Sequence, residues 1–376
     1  MEIPRKFFVT AIALLCIFGI AGCGLGYYWQ ATTGHMAVMD KRRPVSEVIA
    51  DPETSAVLRD KVTAASRAVD FAHDELLLPD NGSYQFYADI GRNYVVWNVF
   101  AAPEFSLTPL AWCFPVAGCV SYRGYFDKAQ ADDFATGLAG EGDDIFVAGI
   151  TAYSTLGRFA DPLLNTMMHL SDYRVAGLIF HELAHQHVYV KGDSMFNESF
   201  ANFVEQEGTY RWLNSIGNTE ALCEFSNSVN RRAEVQQLLL QSRRRLEAAY
   251  LQETESGEKR RAKREIFAAL DQDYRKLRAT WQTPPFFDGW FEAGLNNARL
   301  AALATYESYV PAFAVLLSRQ NGDLIAFYRV VFDLASLDAE ERTTAMDELL
   351  ESALTGAEAY ADSVSDLLAD GKCSAD

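Results

Sequence analysis

The chain has 376 residues, 49% hydrophobic and 22% charged, an ordinary globular balance that leaves room for one large domain or two moderate ones. Its formal net charge of −18 makes a surface that repels phosphate backbones, which excludes ordinary nucleic-acid binding.

The chain opens with an address. Arg5 and Lys6 precede an apolar run over residues 7–22, the length of a signal-peptide core and short for a spanning helix, which needs roughly 20 residues. The run ends in Ile20-Ala21-Gly22-Cys23, which resembles a bacterial lipobox. That resemblance implies removal of residues 1–22 and acylation of Cys23; an uncleaved amino-terminal anchor is the alternative. Gly24 follows the cysteine. By resemblance to lipoprotein sorting signals, this points to a lipoprotein of the bacterial cell envelope, on the outer membrane and facing the periplasm. Cys16 falls in the signal, leaving Cys113, Cys119, Cys223 and Cys373. An even number in an exported chain predicts two disulfides, with Cys113–Cys119 and Cys223–Cys373 the preferred pairing of the three possible. No CxxC pair is present to favour a structural zinc site.

Residues 26–51 read as a tether followed by helix, and apolar positions recur at helical spacing from Thr54 to Leu78. The aromatic- and valine-rich stretch 82–107 predicts short strands with turns. A helix is expected over 127–141, a strand over 144–154, and helix over 161–190 with a break near Leu170–Ser171, where Ser171 or Asp172 caps the second part. Residues 227–279 are dense in Arg, Glu, Gln and Leu and lack proline, which predicts a long helical hairpin with solvated charged faces. Further helices are expected over 296–354.

Three of the six histidines fall in one stretch, as His181, His185 and His187, and Glu198 and Glu205 follow. His181-Glu182-Leu183-Ala184-His185 is an HExxH pattern. On a helix, positions four apart lie within about 40° of each other, so both imidazoles can meet one metal ion. Glu182 projects beside the first, where it can hold an attacking water. A catalytic zinc site wants three protein ligands and one open position. Gly192 and Asp193 allow a turn that folds a second helix back, so Glu198 is the expected third ligand, with Glu205 as the alternative or as the group that orients a histidine. His187 faces away, and His35, His73 and His169 are expected to be structural. Tyr153, Tyr306 and Tyr309 are candidates to stabilise a tetrahedral oxyanion. The segment around Tyr153 could pair with an extended peptide, and Tyr122 and Arg123 could meet a substrate carboxylate.

The HELAH pentapeptide with Asn197-Glu198-Ser199-Phe200-Ala201 resembles the gluzincin metallopeptidases, and locally the membrane-alanyl-aminopeptidase-like enzymes, whose glutamate after asparagine is the third zinc ligand. The connection from His185 is shorter here, and the segment that reads a substrate amino terminus in those enzymes is not found. The blocks WCFPVAGCVSYRGYFD, AYSTLGRFADPLLNTM and NNARLAALATYESYVPAF, with the histidine stretch, resemble the predicted-aminopeptidase family of bacterial envelope lipoproteins. The resemblance implies an α+β, mainly helical chain: a zincin-like metallopeptidase core with a small mixed sheet and a long helical hairpin. The expected division is a signal peptide over 1–22, a catalytic core over 23–226, the hairpin over 227–282 and a C-terminal helical part over 283–376. The expected activity is zinc-dependent peptide hydrolysis, aminopeptidase first. An envelope endopeptidase and a non-catalytic zinc-binding assembly module are the alternatives. The expected partners are a peptide substrate and a membrane reached through lipid on Cys23.

Overall fold

A computed structural model describes residues 25–115, 117–281 and 287–355, except for the side chains of 304–307 and 354. The expected signal, Cys16, Cys23 and Cys373 lie outside the described residues.

Residues 25–39 form helix α1, where a tether was expected. The reason is tertiary. Gln30 donates to Gly124 O and accepts from Phe126 N, and Gly34 backs onto the Phe126 ring so closely that a Cβ there would stand 2.3 Å from it. Then come β1 (Arg42–Pro44), α2 (Val45–Ala50) and α3 (Ala56–Asp74), the last capped by Ser55 accepting from Leu58 N. The aromatic stretch yields β2 (Phe86–Ala88) and β3 (Val96–Ala102). A hairpin of β4 (Trp112–Phe114) and β5 (Gly118–Val120) sets Cys113 opposite Cys119, and a disulfide joins them. After β6 (Arg123–Tyr125), Asp127 caps α4 (Lys128–Gly140) by accepting from Gln130 N, and β7 (Asp144–Ile150) follows.

The helix expected from residue 161 is absent up to the break. Leu163–Leu164 instead form β8, parallel to β2, and Asn165–Met167 make one 3-10 turn. Polar side chains there are recruited by distant backbone: Asn165 accepts from Ile90 N and donates to Arg92 O, and Thr166 donates to Thr151 O. Helix proper begins beyond the break with α5 (Asp172–His187) and returns as α6 (Ser194–Ser215), which Asp193 caps by accepting from Phe196 N. The hairpin is α7 (Thr219–Tyr250) and α8 (Ser256–Arg278), and α7, which carries Cys223, starts eight residues before the expected Asn227. The chain ends in α9 (Asp288–Glu292), α10 (Asn297–Glu307), α11 (Val310–Arg319), α12 (Leu324–Ser336) and α13 (Ala339–Thr355).

The architecture is mainly helical α+β with small sheets. The order β1-β2-β8 makes a mixed sheet, and β6-β3-β7 an antiparallel one with β7 on an edge. One face of the antiparallel sheet packs Val99 and Tyr125 on Ala131 and Ala135 of α4, and the other packs Phe100 and Ala102 on Ala298 and Ala302 of α10. The main core joins α3, α5, α6 and the C-terminal α11–α13, so the C-terminal helices complete the body that holds the histidines. The hairpin has its own apolar seam of Val235, Leu239 and Leu246 against Ile266, Phe267 and Leu270. It is tied to the sheet by Lys263, whose ammonium lies 2.7 Å from the Asp144 carboxylate, so it flanks the body.

Candidate metal centre

Helix α5 is apolar on three sides for a reason visible in its burial. Ile179, Phe180, Leu183 and Ala184 are fully buried in the core. Leu178, His181, Glu182 and His185, spaced by three, one and three, line a cleft instead. α6 packs across α5 at two glycines. A Cβ on Gly177 would stand 3.0 Å from Thr209 Oγ1 and 3.1 Å from Glu205 Cγ, and one on Gly208 would stand 2.9 Å from the Phe180 ring of α5. This close approach lets the α6 carboxylates reach the α5 imidazoles.

The result is a triangle of donor atoms. His181 Nε2 lies 3.2 Å from His185 Nε2, and Glu198 Oε2 lies 3.5 Å from the first and 3.4 Å from the second. Ligands about 2.0–2.1 Å from a tetrahedral zinc ion stand roughly 3.3–3.4 Å apart, so the three atoms match one face of that tetrahedron. All three residues are buried, and they form the group of His and carboxylate side chains able to hold a metal ion among the described residues. The donor set, two imidazoles and a carboxylate, suits zinc. His181 Nδ1 lies 3.2 Å from Glu205 Oε2, so that carboxylate accepts the other ring N–H and turns Nε2 toward the triangle.

Electrostatics agree with a cation-binding site. Burial opposes charge on Glu198, yet His185 and His181 beside it hold its carboxyl down at about 2. Burial pushes His181 down, but hydrogen bonds to Glu198 and Glu205 outweigh that and hold it well above the usual imidazole value. A cation entering the triangle must displace that proton. Burial raises the Glu182 carboxyl above its usual value, against the pull of His181 and His185. A carboxylate with a raised pKa is a better proton acceptor near neutrality.

Above the triangle lies a cleft of about 680 Å³. The sheet contributes Val96, Asn98 and Gly124 to its walls, and the stretch from Gly149 to Ser154, running on from edge strand β7, forms another side. The disulfide hairpin supplies Phe114 and Ala117, and it is pinned to the α5–α6 connection: Tyr189 Oη and Gly192 N both donate to Ala117 O, and Lys191 Nζ donates to Pro115 O. Asn197 holds the same connection by accepting from Val190 N and donating to Val190 O, both at 2.7 Å, which sets where Glu198 emerges.

The family model described as "Putative aminopeptidase" matches residues 26–346. The chain belongs to this family. No curated protein and no solved structure matches it. The family match spans α1 to α13 and so includes every residue of the triangle and every wall of the cleft.

The tyrosines expected to act on an oxyanion fare differently in this aminopeptidase-family chain. Tyr153 lines the cleft, but its hydroxyl is 2.6 Å from His35 Nδ1, which gives that histidine a structural task. Tyr309 does not line the cleft; it is buried and its hydroxyl donates to Asp347, because the end of α10 turns it toward α13. The side chain of Tyr306 lies outside the described residues. Arg123 does not line the cleft; its guanidinium stacks over Tyr27 and Phe134, at 4.2 and 4.6 Å from the ring centres. His187 packs between Tyr328 and Phe332, away from the triangle. His73 is 3.2 Å from Leu78 O.

Two residues gain weight from the structure. Tyr122 lines the cleft with its ring against Phe100, and burial, then the nearby Glu198, Tyr189 and Glu182, push its hydroxyl well above the usual phenol value. Tyr189 lines the cleft too, and burial and Glu198 raise it to about 12, but its hydroxyl is given to Ala117 O, so it holds the hairpin in place. Both phenols therefore stay protonated at neutral pH, Tyr122 as the candidate donor in the cleft. The signal for Tyr122 in the sequence was only its place in SYRGYF, since the packing of β6, which it precedes, and not the local pattern brings it to the cleft of the histidines.

The Glu205 contact has a measurable consequence. Glu205→Ala is expected to keep the ion but weaken its binding by about 10–100-fold, because it removes the acceptor that orients His181. A competition titration against a chelator reads this directly; unchanged affinity would mean that the carboxylate does not orient the ligand.

Proposed function

We propose that this chain is a zinc-dependent peptide hydrolase of the bacterial cell envelope, built on a zincin-like core and anchored through lipid on Cys23. The observation that carries the hydrolytic reading is the triangle of His181, His185 and Glu198 donors at 3.2–3.5 Å, facing a cleft of peptide-binding size. Zinc held there would supply Lewis acidity and bring a bound water's pKa to about 7. Glu182, partly buried in the cleft lining with a raised pKa, takes the proton of the attacking water and passes it to the leaving amine. Glu205 keeps His181 in the tautomer that presents Nε2. Tyr122 donates a hydrogen bond to the oxyanion as it forms. A peptide lies along the stretch after β7, with its side chains among Val96, Ile150 and Leu156. The envelope assignment is supported by the apolar run before Cys23 and by the order of small residues at its end. Among the described residues no helix is long and apolar enough to cross a membrane.

The family description favours removal of amino-terminal residues. One observation favours cleavage within chains as a second reading. Among the described residues the carboxylates lining the cleft are Glu182, Glu198 and Glu205, all engaged around the triangle, which leaves no separate one for a free substrate ammonium.

The deciding experiment treats the zinc-loaded chain with apolar peptides carrying free or acetylated amino termini, with and without a chelator. Chelator-sensitive cleavage supports the hydrolase reading. Equal rates on acetylated and free peptides end the aminopeptidase form of it, and no cleavage of any peptide by the loaded protein ends the hydrolase reading itself. Tyr122→Phe is expected to lower kcat by about 10²-fold with little change in KM, the signature of a donor used in the transition state. A loss confined to KM would reassign this tyrosine to ground-state binding.

A further inference from the structure

Helix α1 has two unlike faces. On one, Tyr27 packs against Phe114 and Tyr125 with ring centres 5.4 and 5.5 Å away, Gln30 bonds the backbone at Gly124 and Phe126, and Val38 is buried in the core. On the other, Leu25, Tyr28, Trp29 and Met36 are 65%, 44%, 73% and 49% exposed. Their spacing of three, one and seven residues puts them on a single stripe of the helix. A lone exposed apolar side chain needs no explanation, but an aromatic stripe on one face of one helix does.

The position of the stripe in the chain identifies what covers it. It begins two residues after Cys23 and three after the apolar run of residues 7–22. Such a link reaches about 7–10 Å when fully extended. The stripe therefore starts at the bilayer whether acyl chains on Cys23 or the apolar run itself provides the attachment. Trp and Tyr settle at the boundary between lipid headgroups and acyl chains, where an apolar body and a polar tip are both satisfied. The net charge of −18 offers no attraction to anionic lipid, so the contact is an apolar one that suits a zwitterionic surface.

We propose that the Leu25/Tyr28/Trp29/Met36 face of α1 lies on the lipid bilayer. The same helix lines the cleft from its opposite side through Tyr27 and Ala31. The cleft then opens beside the membrane, and its substrates are polypeptide segments at the bilayer surface. This rests on the membrane attachment proposed above and is independent of the hydrolytic reading.

The test uses the full chain reconstituted on phosphatidylcholine vesicles with brominated or ordinary acyl chains. Flotation reports attachment, and loss of tryptophan emission on the brominated vesicles reports contact. The expected result is flotation with emission lower on brominated lipid, and loss of that difference in Trp29→Phe, which keeps an apolar face and should fold. Leu25→Ser/Tyr28→Ser/Trp29→Ser should still float but lose hydrogen-exchange protection over residues 25–37 on vesicles. A wild-type chain that floats without this quenching, with Trp29 shielded from iodide, would mean that another protein or a second copy covers the stripe, which overturns the proposal. Unchanged quenching in Trp29→Phe overturns it too. A chain that fails to float overturns both the attachment and this proposal, whatever its activity on soluble peptides.

Discussion

Glu182→Gln is expected to lower kcat by about 10²–10⁴-fold while the ion stays bound at full stoichiometry. The substitution keeps the size and the hydrogen-bonding reach of the side chain but removes its basicity. Glu182 is not one of the three triangle residues, so nothing that holds the ion is lost. The helix also keeps its packing, because the core contacts of α5 are made by Ile179, Phe180, Leu183 and Ala184 on its other sides. Elemental analysis and single-turnover hydrolysis on the same sample check this. A variant that retains the ion and most of its turnover would remove Glu182 from the proton transfer and return the chain to a binding or assembly role.

Glu198→Ala is expected to empty the centre. Zinc binding in a catalytic site needs three protein ligands, and the substitution leaves two imidazoles whose Nε2 atoms face each other at 3.2 Å. The carboxylate also balances charge: it stays ionised down to about pH 2 because His185 and His181 flank it, and without it His185 loses its nearest anion while His181 keeps only Glu205. Both ion content and hydrolysis should vanish together, in contrast to Glu182→Gln, which separates them, and to Glu205→Ala, which weakens the ion without removing it. Inductively coupled plasma analysis of the three variants reads the contrast. Full ion content in Glu198→Ala, with loss in Glu205→Ala, would exchange the roles of the two carboxylates.

That contrast reflects how the site is encoded. HELAH could be read from the chain because both histidines sit on one helix, where a fixed rise and twist bring positions four apart to one side. Glu198 was reachable by the same reasoning plus a turn at Gly192 and Asp193. The choice between Glu198 and Glu205 was not local. It depends on the angle and depth at which α6 crosses α5, set by the bare backbones at Gly177 and Gly208 and by the grip of Asn197 on Val190. The tyrosines show the other limit. Tyr309 sits in a suggestive TYESYVPAF context, yet the end of α10 gives its hydroxyl to Asp347. Tyr122, just ahead of β6 in a three-strand sheet packed against two helices, reaches the cleft of the histidines by a path no window of sequence contains.

The same division runs through the fold. Helices α3 and α4 follow apolar spacing and capping residues, so they were legible at nearly their full length. Residues 163–167 were not, because Asn165 and Thr166 spend their side chains on the backbones of Ile90, Arg92 and Thr151, contacts that exist only once the chain has folded. By itself the sequence determined the mainly helical character, the pair of imidazoles one turn apart and the base beside them, since each is a matter of spacing along one element. Only the tertiary structure decided which carboxylate closes the triangle, which phenols face it and which face of α1 is left bare. Those depend on where separate elements cross, and crossings are set by close packing among residues far apart in the chain.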